Sequence, residues 1–76
     1  MIDPQSIRHP MEPEQLEAVA IYLVGRRKWP ACLGAILYCG EQTVRNWFKR
    51  RAAIPGPAVA ALRLLVERKQ LKDMLG

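Results

Sequence analysis

The chain has 76 residues, half of them hydrophobic and a quarter charged, with a formal net charge of +5. A chain of this length forms one domain with a small core, and its composition is too apolar for an intrinsically disordered protein. No apolar stretch approaches the length of a membrane-spanning helix, and the first residues lack the apolar core of a secretion signal. We therefore expect one folded cytoplasmic domain with no membrane association.

Cysteine and histidine are too scarce and too scattered to build a catalytic or metal site. Cys32 and Cys39 are separated by six residues and have no further ligand at metal-binding spacing, which favours core thiols. His9 lies among prolines, away from any nucleophile or carboxylate cluster. The chain is therefore not expected to be an enzyme or to bind a metal or cofactor.

The basic residues are clustered. Seven of the twelve Lys and Arg residues lie between Arg26 and Arg51, interleaved with Trp29, Trp47 and Phe48. Such a cluster favours a polyanion, and the aromatic residues favour nucleic acid over a membrane surface. The alternative is that these charges only form a solvated face.

The first 12 residues form a predicted N-terminal arm, and residues 13–76 form the folded domain. The arm has two prolines and no periodicity, so we expect an extended or partly disordered segment that is either free or places Arg8 in a minor groove. Pro13 begins a helix that runs to about Val24. Its apolar stripe consists of Leu16, Val19, Ala20 and Leu23.

A second helix is predicted to begin near Trp29, after three consecutive bases. Arg26, Arg27 and Lys28 contact a sugar-phosphate backbone or balance the dipole of the preceding helix, and the two roles are compatible.

The segment from Leu33 to Arg51 contains two amphipathic patterns separated by a break. Leu33, Ile36 and Leu37 have the i, i+3, i+4 spacing of one helix side. The same spacing returns after Tyr38-Cys39-Gly40, at Val44, Trp47 and Phe48, which we expect to be the buried side of a second short helix. The sequence therefore predicts two short helices joined by a tight turn.

This segment resembles a known family. The run L-x-x-x-L-x-x-x-E-x-T-V-x-x-W, with Gly34 after the first Leu, is similar to the helix-turn-helix of Cro and lambda-type repressors, particularly short phage and plasmid regulators. The continuation through Ile54-Pro55-Gly56-Pro57 also fits. The resemblance implies an all-α bundle of four to five helices. It departs from the family at Tyr38, where glycine is usual, so either Tyr38 adopts a left-handed conformation or Gly40 does so later in the turn.

The resemblance further implies that the second motif helix lies in the major groove of double-stranded DNA. The residues at base-reading positions are Glu41, Gln42, Thr43, Arg45 and Asn46. Gln and Asn can pair with adenine, and Arg45 can bind guanine or a phosphate. Glu41 either accepts a hydrogen bond from cytosine or only complements the helix dipole. The expected backbone contacts are Arg26, Arg27, Lys28, Lys49, Arg50 and Arg51.

A long C-terminal helix is predicted after Pro57, with more apolar positions than one small core can use. We interpret Leu64, Leu71, Met74 and Leu75, helped by Val66, as a dimerisation surface. The alternatives are that this tail folds back on its own domain, or that two subunits meet at Ile21 and Val24.

Together these features predict a homodimeric, sequence-specific repressor that binds a palindromic operator and controls its own small operon without a small-molecule effector. The alternative function is a helical adaptor for an acidic protein partner. RNA is a weaker candidate partner because the chain offers no sheet of exposed aromatic residues.

Overall fold

The computed structural model describes residues 2–76, which contain four α-helices and no strand. The helices are α1 (Pro13–Val24), α2 (Trp29–Leu37), α3 (Glu41–Phe48) and α4 (Gly56–Leu75), preceded by a 3-10 helix at Pro4–Ser6. The predicted all-α class is confirmed. None of the helices in residues 2–76 combines the length and apolar character that crossing a membrane requires.

One hydrophobic core joins all four helices. Leu16, Leu33, Val44 and Leu62, one from each helix, are completely buried. Helix α1 begins at Pro13 and ends at Val24, as predicted. Its start is fixed by a capping box, in which the Glu12 backbone N–H donates to Gln15 Oε1 at 3.2 Å.

The N-terminal segment is packed rather than extended, which corrects the expectation of a free or partly disordered arm. Ile7 and Met11 are buried in the core. The Gln5 backbone N–H donates to the Asp3 carboxylate at 2.9 Å, and the Gln70 side chain on α4 donates to the Ile2 carbonyl. Single apolar residues spaced along an irregular segment give no periodicity, although they are part of the core.

The prediction of core thiols is wrong for Cys32, which is exposed, whereas Cys39 is partly buried and packs against the core. Helix α2 buries Trp29, Leu33 and Gly34, and Cys32 falls on its exposed side. Cys39 lies half-buried in the turn after α2. Its partial burial disfavours the thiolate and raises the pKa of the Cys39 thiol above its ordinary value.

The connection between α2 and α3 is the three-residue turn Tyr38–Gly40. The Cys39 N–H donates to the Gly34 carbonyl at 3.0 Å and the Tyr38 N–H to the Ala35 carbonyl at 3.3 Å, the hydrogen bonds of a Schellman helix end. Tyr38 takes the left-handed conformation (φ 59°), and Gly40 also has positive φ (83°). Of the two alternatives for the turn, the left-handed conformation therefore falls on Tyr38, because ψ of Gly40 is 157° and lies outside the left-handed helical region.

Gly34 is the point of closest approach between α2 and the start of α3. A Cβ atom at this position would lie 2.5 Å from the Gly40 carbonyl carbon and 2.8 Å from the Glu41 nitrogen. Only glycine allows the two backbones to come this close.

Helix α3 buries Val44 and Trp47, whereas Phe48 is only partly covered. The Phe48 ring lies at the edge of the core, where it meets the Trp29 ring edge-on with centroids 5.3 Å apart. The predicted burial is confirmed for Val44 and Trp47, whereas Phe48 remains 37% exposed.

Helix α4 begins one residue before Pro57 and buries Val59, Leu62 and Val66. Val66 is completely buried in its own domain and cannot help a second subunit, which corrects its predicted role. Beyond Val66 no residue of α4 is buried, so the apolar tail does not fold back onto the core. Two contacts still connect this part of α4 to the domain. Lys69 Nζ lies 5.4 Å from the centroid of the Tyr22 ring, and the Gln70 side chain donates to the Ile2 carbonyl.

Candidate nucleic-acid interface

The polar side of α3 faces solvent because Val44 and Trp47 occupy its other side. Glu41, Gln42 and Arg45 are exposed, and Thr43 and Asn46 are half-buried. All five predicted base-reading residues thus lie on one short helix. Gln42, Arg45 and Asn46 form its outer face, on the side of the helix opposite Val44 and Trp47.

Four of these five side chains are paired along the helix. Arg45 donates to Glu41 Oε2 from Nε at 2.6 Å and from Nη2 at 2.5 Å. Gln42 Nε2 donates to Asn46 Oδ1 at 3.1 Å. Pairs four residues apart on an exposed helix contribute about 0.3–0.5 kcal/mol each, so they orient these side chains without locking them.

The bases predicted to bind the DNA backbone form two groups, one at residues 26–28 before α2 and one at residues 49–51 after α3. Lys28 precedes Trp29 and Lys49 follows Phe48, and these two aromatic rings are in edge-to-face contact. Within residues 2–76 no carboxylate forms an ion pair with five of the bases, Arg26, Arg27, Lys28, Lys49 and Arg51. Their positive charge is therefore not neutralised by the protein.

Arg50 differs from the other predicted backbone contacts. Its Nη1 lies 3.2 Å from Glu12 Oε2 and its Nη2 lies 3.3 Å from Glu14 Oε1, both at the start of α1. The Arg50 N–H donates to the Trp47 carbonyl and the Arg51 N–H to the Asn46 carbonyl, so Arg50 also completes the Schellman end of α3. Arg50 therefore connects the end of α3 to the start of α1 through ion pairs. No local sequence signal indicates this contact, because its partners lie 38 and 36 residues away.

The predicted dimerisation residues are exposed on α4. Leu64 is 65% exposed, Leu71 56%, and Met74 and Leu75 80% each. Leu64, Leu71 and Leu75 form one stripe, because spacings of seven and four residues return to nearly the same side of a helix. Met74 lies to one side of this stripe. Ile21 and Val24, the alternative contact, are half-buried against the core.

No family model, curated protein or solved structure matches this chain. Residues 2–76 contain no group of three or more His, Cys, Asp or Glu side chains arranged to hold a metal ion.

Proposed function

We propose that this chain is a sequence-specific DNA-binding regulator in which α2, the Tyr38–Gly40 turn and α3 act as a helix-turn-helix of the Cro and lambda-repressor type. In this proposal α3 is the reading helix and lies in the major groove. A helix of 10–12 Å diameter fits a groove about 12 Å wide. The tight α2–α3 contact at Gly34 supports a rigid presentation of the reading helix.

The chemistry of the exposed side of α3 supports DNA as the ligand. Gln42 and Asn46 carry amides that match the donor and acceptor pattern of adenine, and Arg45 carries the donors that match guanine. Thr43 offers a methyl group that suits a thymine methyl. The two amides and the arginine of this outer face do not contribute to the packing of the core, so they are available to bind a ligand.

The observation that carries the proposal is the combination of this polar face with the five bases that lack protein partners. Such bases bind phosphates without reading sequence, which fixes the position of a reading helix on the duplex. Arg50 is removed from this set because its guanidinium is paired with Glu12 and Glu14.

We further propose that the regulator acts in the cytoplasm as a homodimer on a palindromic operator. One reading helix contacts too few base pairs for useful selectivity, and a two-fold dimer places two such helices about 34 Å apart. The exposed apolar side of α4 at Leu64, Leu71, Met74 and Leu75 is the proposed contact. Bound at its own promoter, the dimer excludes polymerase and represses its own small operon.

An adaptor for an acidic protein is the second candidate function, because the same unpaired bases suit carboxylates as well as phosphates. It is distinguished from the first by the binding of duplex DNA in the absence of any other protein.

The test is the salt dependence of duplex binding. If each protomer contacts about three to five phosphates, the logarithm of affinity falls with the logarithm of salt concentration at about −0.9 per contact. Lys49→Ala is expected to reduce the slope by about one contact. Arg50→Ala, the matched control, is expected to leave it unchanged because Arg50 is held by carboxylates. A slope near zero, or the absence of duplex binding, contradicts the proposal.

A further inference from the structure

Glu41 and Arg45 form the closest charged contact on the exposed side of α3. Both Nε and Nη2 of Arg45 donate to one oxygen, Oε2 of Glu41, at 2.6 and 2.5 Å. The two side chains are 47% and 43% exposed, so the pair lies on the surface that the proposed function assigns to DNA.

The contact leaves a defined part of the guanidinium free. A guanidinium group carries five N–H donors in a planar fork, and Glu41 occupies the edge formed by Nε and Nη2. The opposite edge, formed by Nη1 and Nη2, still offers two parallel N–H groups. Two such groups match the O6 and N7 acceptors of guanine in the major groove.

We infer that Glu41 is a positioning residue that holds the Arg45 guanidinium so that its Nη1–Nη2 edge reads one guanine in each half-site. This inference rests on the proposed function and extends it by assigning a base to Arg45. It also gives Glu41 a role different from the two considered above, because the carboxylate acts through Arg45 rather than by accepting from cytosine or by complementing the helix dipole alone.

The direction of the Arg45 side chain favours guanine over a phosphate as its ligand. Glu41 is the first residue of α3, so the contact draws Arg45 toward the N-terminal end of the helix. In this docking geometry the N-terminal residues of the reading helix face base edges. The unpaired bases Lys49 and Arg51 lie beyond the other end of α3.

The pairing also removes an electrostatic obstacle. A lone carboxylate on a helix that enters the major groove is repelled by the phosphates on both sides. Arg45 neutralises Glu41 locally, so the pair enters the groove with no net charge. The Gln42–Asn46 pair is uncharged, which leaves the phosphate attraction to the basic residues outside the reading face.

The expected effects differ in size between the two residues. Arg45→Ala removes the guanine contact and abolishes the preference for guanine at one position, a preference of about 5- to 150-fold for a bidentate pair. Glu41→Ala still allows Arg45 to contact guanine. Without Glu41 the Arg45 side chain is free before binding, and the entropy lost when it is fixed lowers the guanine preference by about two- to tenfold.

The test is selection of binding sites from a pool of random-sequence duplexes, with the full chain and its Glu41→Ala, Arg45→Ala and Gln42→Ala variants. We expect the unmodified chain to enrich a site with a guanine that Arg45→Ala no longer selects and Glu41→Ala selects less strongly. Gln42→Ala, the matched control, is expected to keep that guanine and lose selectivity at another position. The ratio of affinities for guanine and adenine duplexes cancels any general loss of folded protein.

Two results overturn the inference while leaving the proposed function in place. In the first, Arg45→Ala alters no guanine position. In the second, Glu41→Ala retains the full guanine preference that Arg45→Ala loses, which makes Glu41 a helix-start residue only. If the unmodified chain enriches no sequence at all, the proposed function fails and the inference fails with it.

Discussion

Three residues with large side chains, Lys28, Tyr38 and Arg50, hold backbone conformations that usually belong to glycine. Lys28 precedes α2 with φ 54°. Tyr38 ends α2 with φ 59°, and Arg50 follows α3 with φ 61°. Arg50 gains two ion pairs with α1 in this position, whereas the Tyr38 side chain is 97% exposed. The left-handed conformation costs a residue with a Cβ atom about 1–2 kcal/mol. At Tyr38 no packing contact offsets this cost.

Tyr38→Gly is therefore expected to stabilise the domain. The relief of strain exceeds the extra backbone entropy that glycine gains in the unfolded chain, so the free energy of unfolding rises by up to about 1 kcal/mol. Tyr38→Ala is the control, because alanine keeps the strain and brings no gain. Urea denaturation of the three proteins measures the difference. A clear loss of stability in Tyr38→Gly would show that the tyrosine ring makes a stabilising contact.

In the α2–α3 unit, the apolar spacing predicts the two helices but not the close contact between them. The i, i+3, i+4 spacings predict both helices, because a side that packs on a core must be apolar at those positions. The apolar spacing does not explain why position 34 must be glycine. That requirement arises because the turn brings the Gly40 backbone against α2. Sequence alone shows a small residue there as part of a family resemblance, and only the contact explains it.

Gly34→Ala is expected to destabilise the domain by about 1–3 kcal/mol, because the new methyl group meets backbone atoms that cannot rotate away. The higher helix propensity of alanine offsets about 1 kcal/mol of the steric cost, which is larger. Gly56→Ala is the matched control. Its Cβ would meet no atom within 4 Å, and the change is expected to be neutral or slightly stabilising. Equal thermal midpoints for the two variants would contradict the close approach.

At the scale of the whole molecule, the features that sequence could not predict are those made by residues far apart in the chain. Ile7 and Met11 join the core through an irregular segment with no period to reveal them. Arg50 looks like one of three consecutive bases, and only the fold brings Glu12 and Glu14 to it. The exposed polar face of α3 was predictable, because its position follows from the apolar residues on the opposite side.

Truncation after Arg68 is expected to leave a folded helical domain, because Val59, Leu62 and Val66 all precede that point. The truncated chain loses Leu71, Met74 and Leu75, and we expect it to sediment as a monomer and to lose most of its operator affinity.

The truncation also removes the contacts of Lys69 with Tyr22 and of Gln70 with Ile2. A full-length chain with Leu71→Asn and Leu75→Asn keeps those contacts and is the matched control, which is also expected to be monomeric. If both proteins still sediment as dimers, the subunits meet elsewhere, and Ile21 and Val24 become the contact to test.

In the proposed mode of binding, the outer face of α3 reads DNA sequence while the bases beyond its end contact the phosphate backbone. The most direct measurement compares Asn46→Ala and Lys49→Ala on a selected duplex and on a scrambled duplex of the same length. Asn46→Ala is expected to cost about 1–3 kcal/mol of binding free energy on the selected duplex and almost nothing on the scrambled one, whereas Lys49→Ala weakens both alike. Equal losses on the two duplexes for Asn46→Ala would contradict the assignment of α3 as the reading helix.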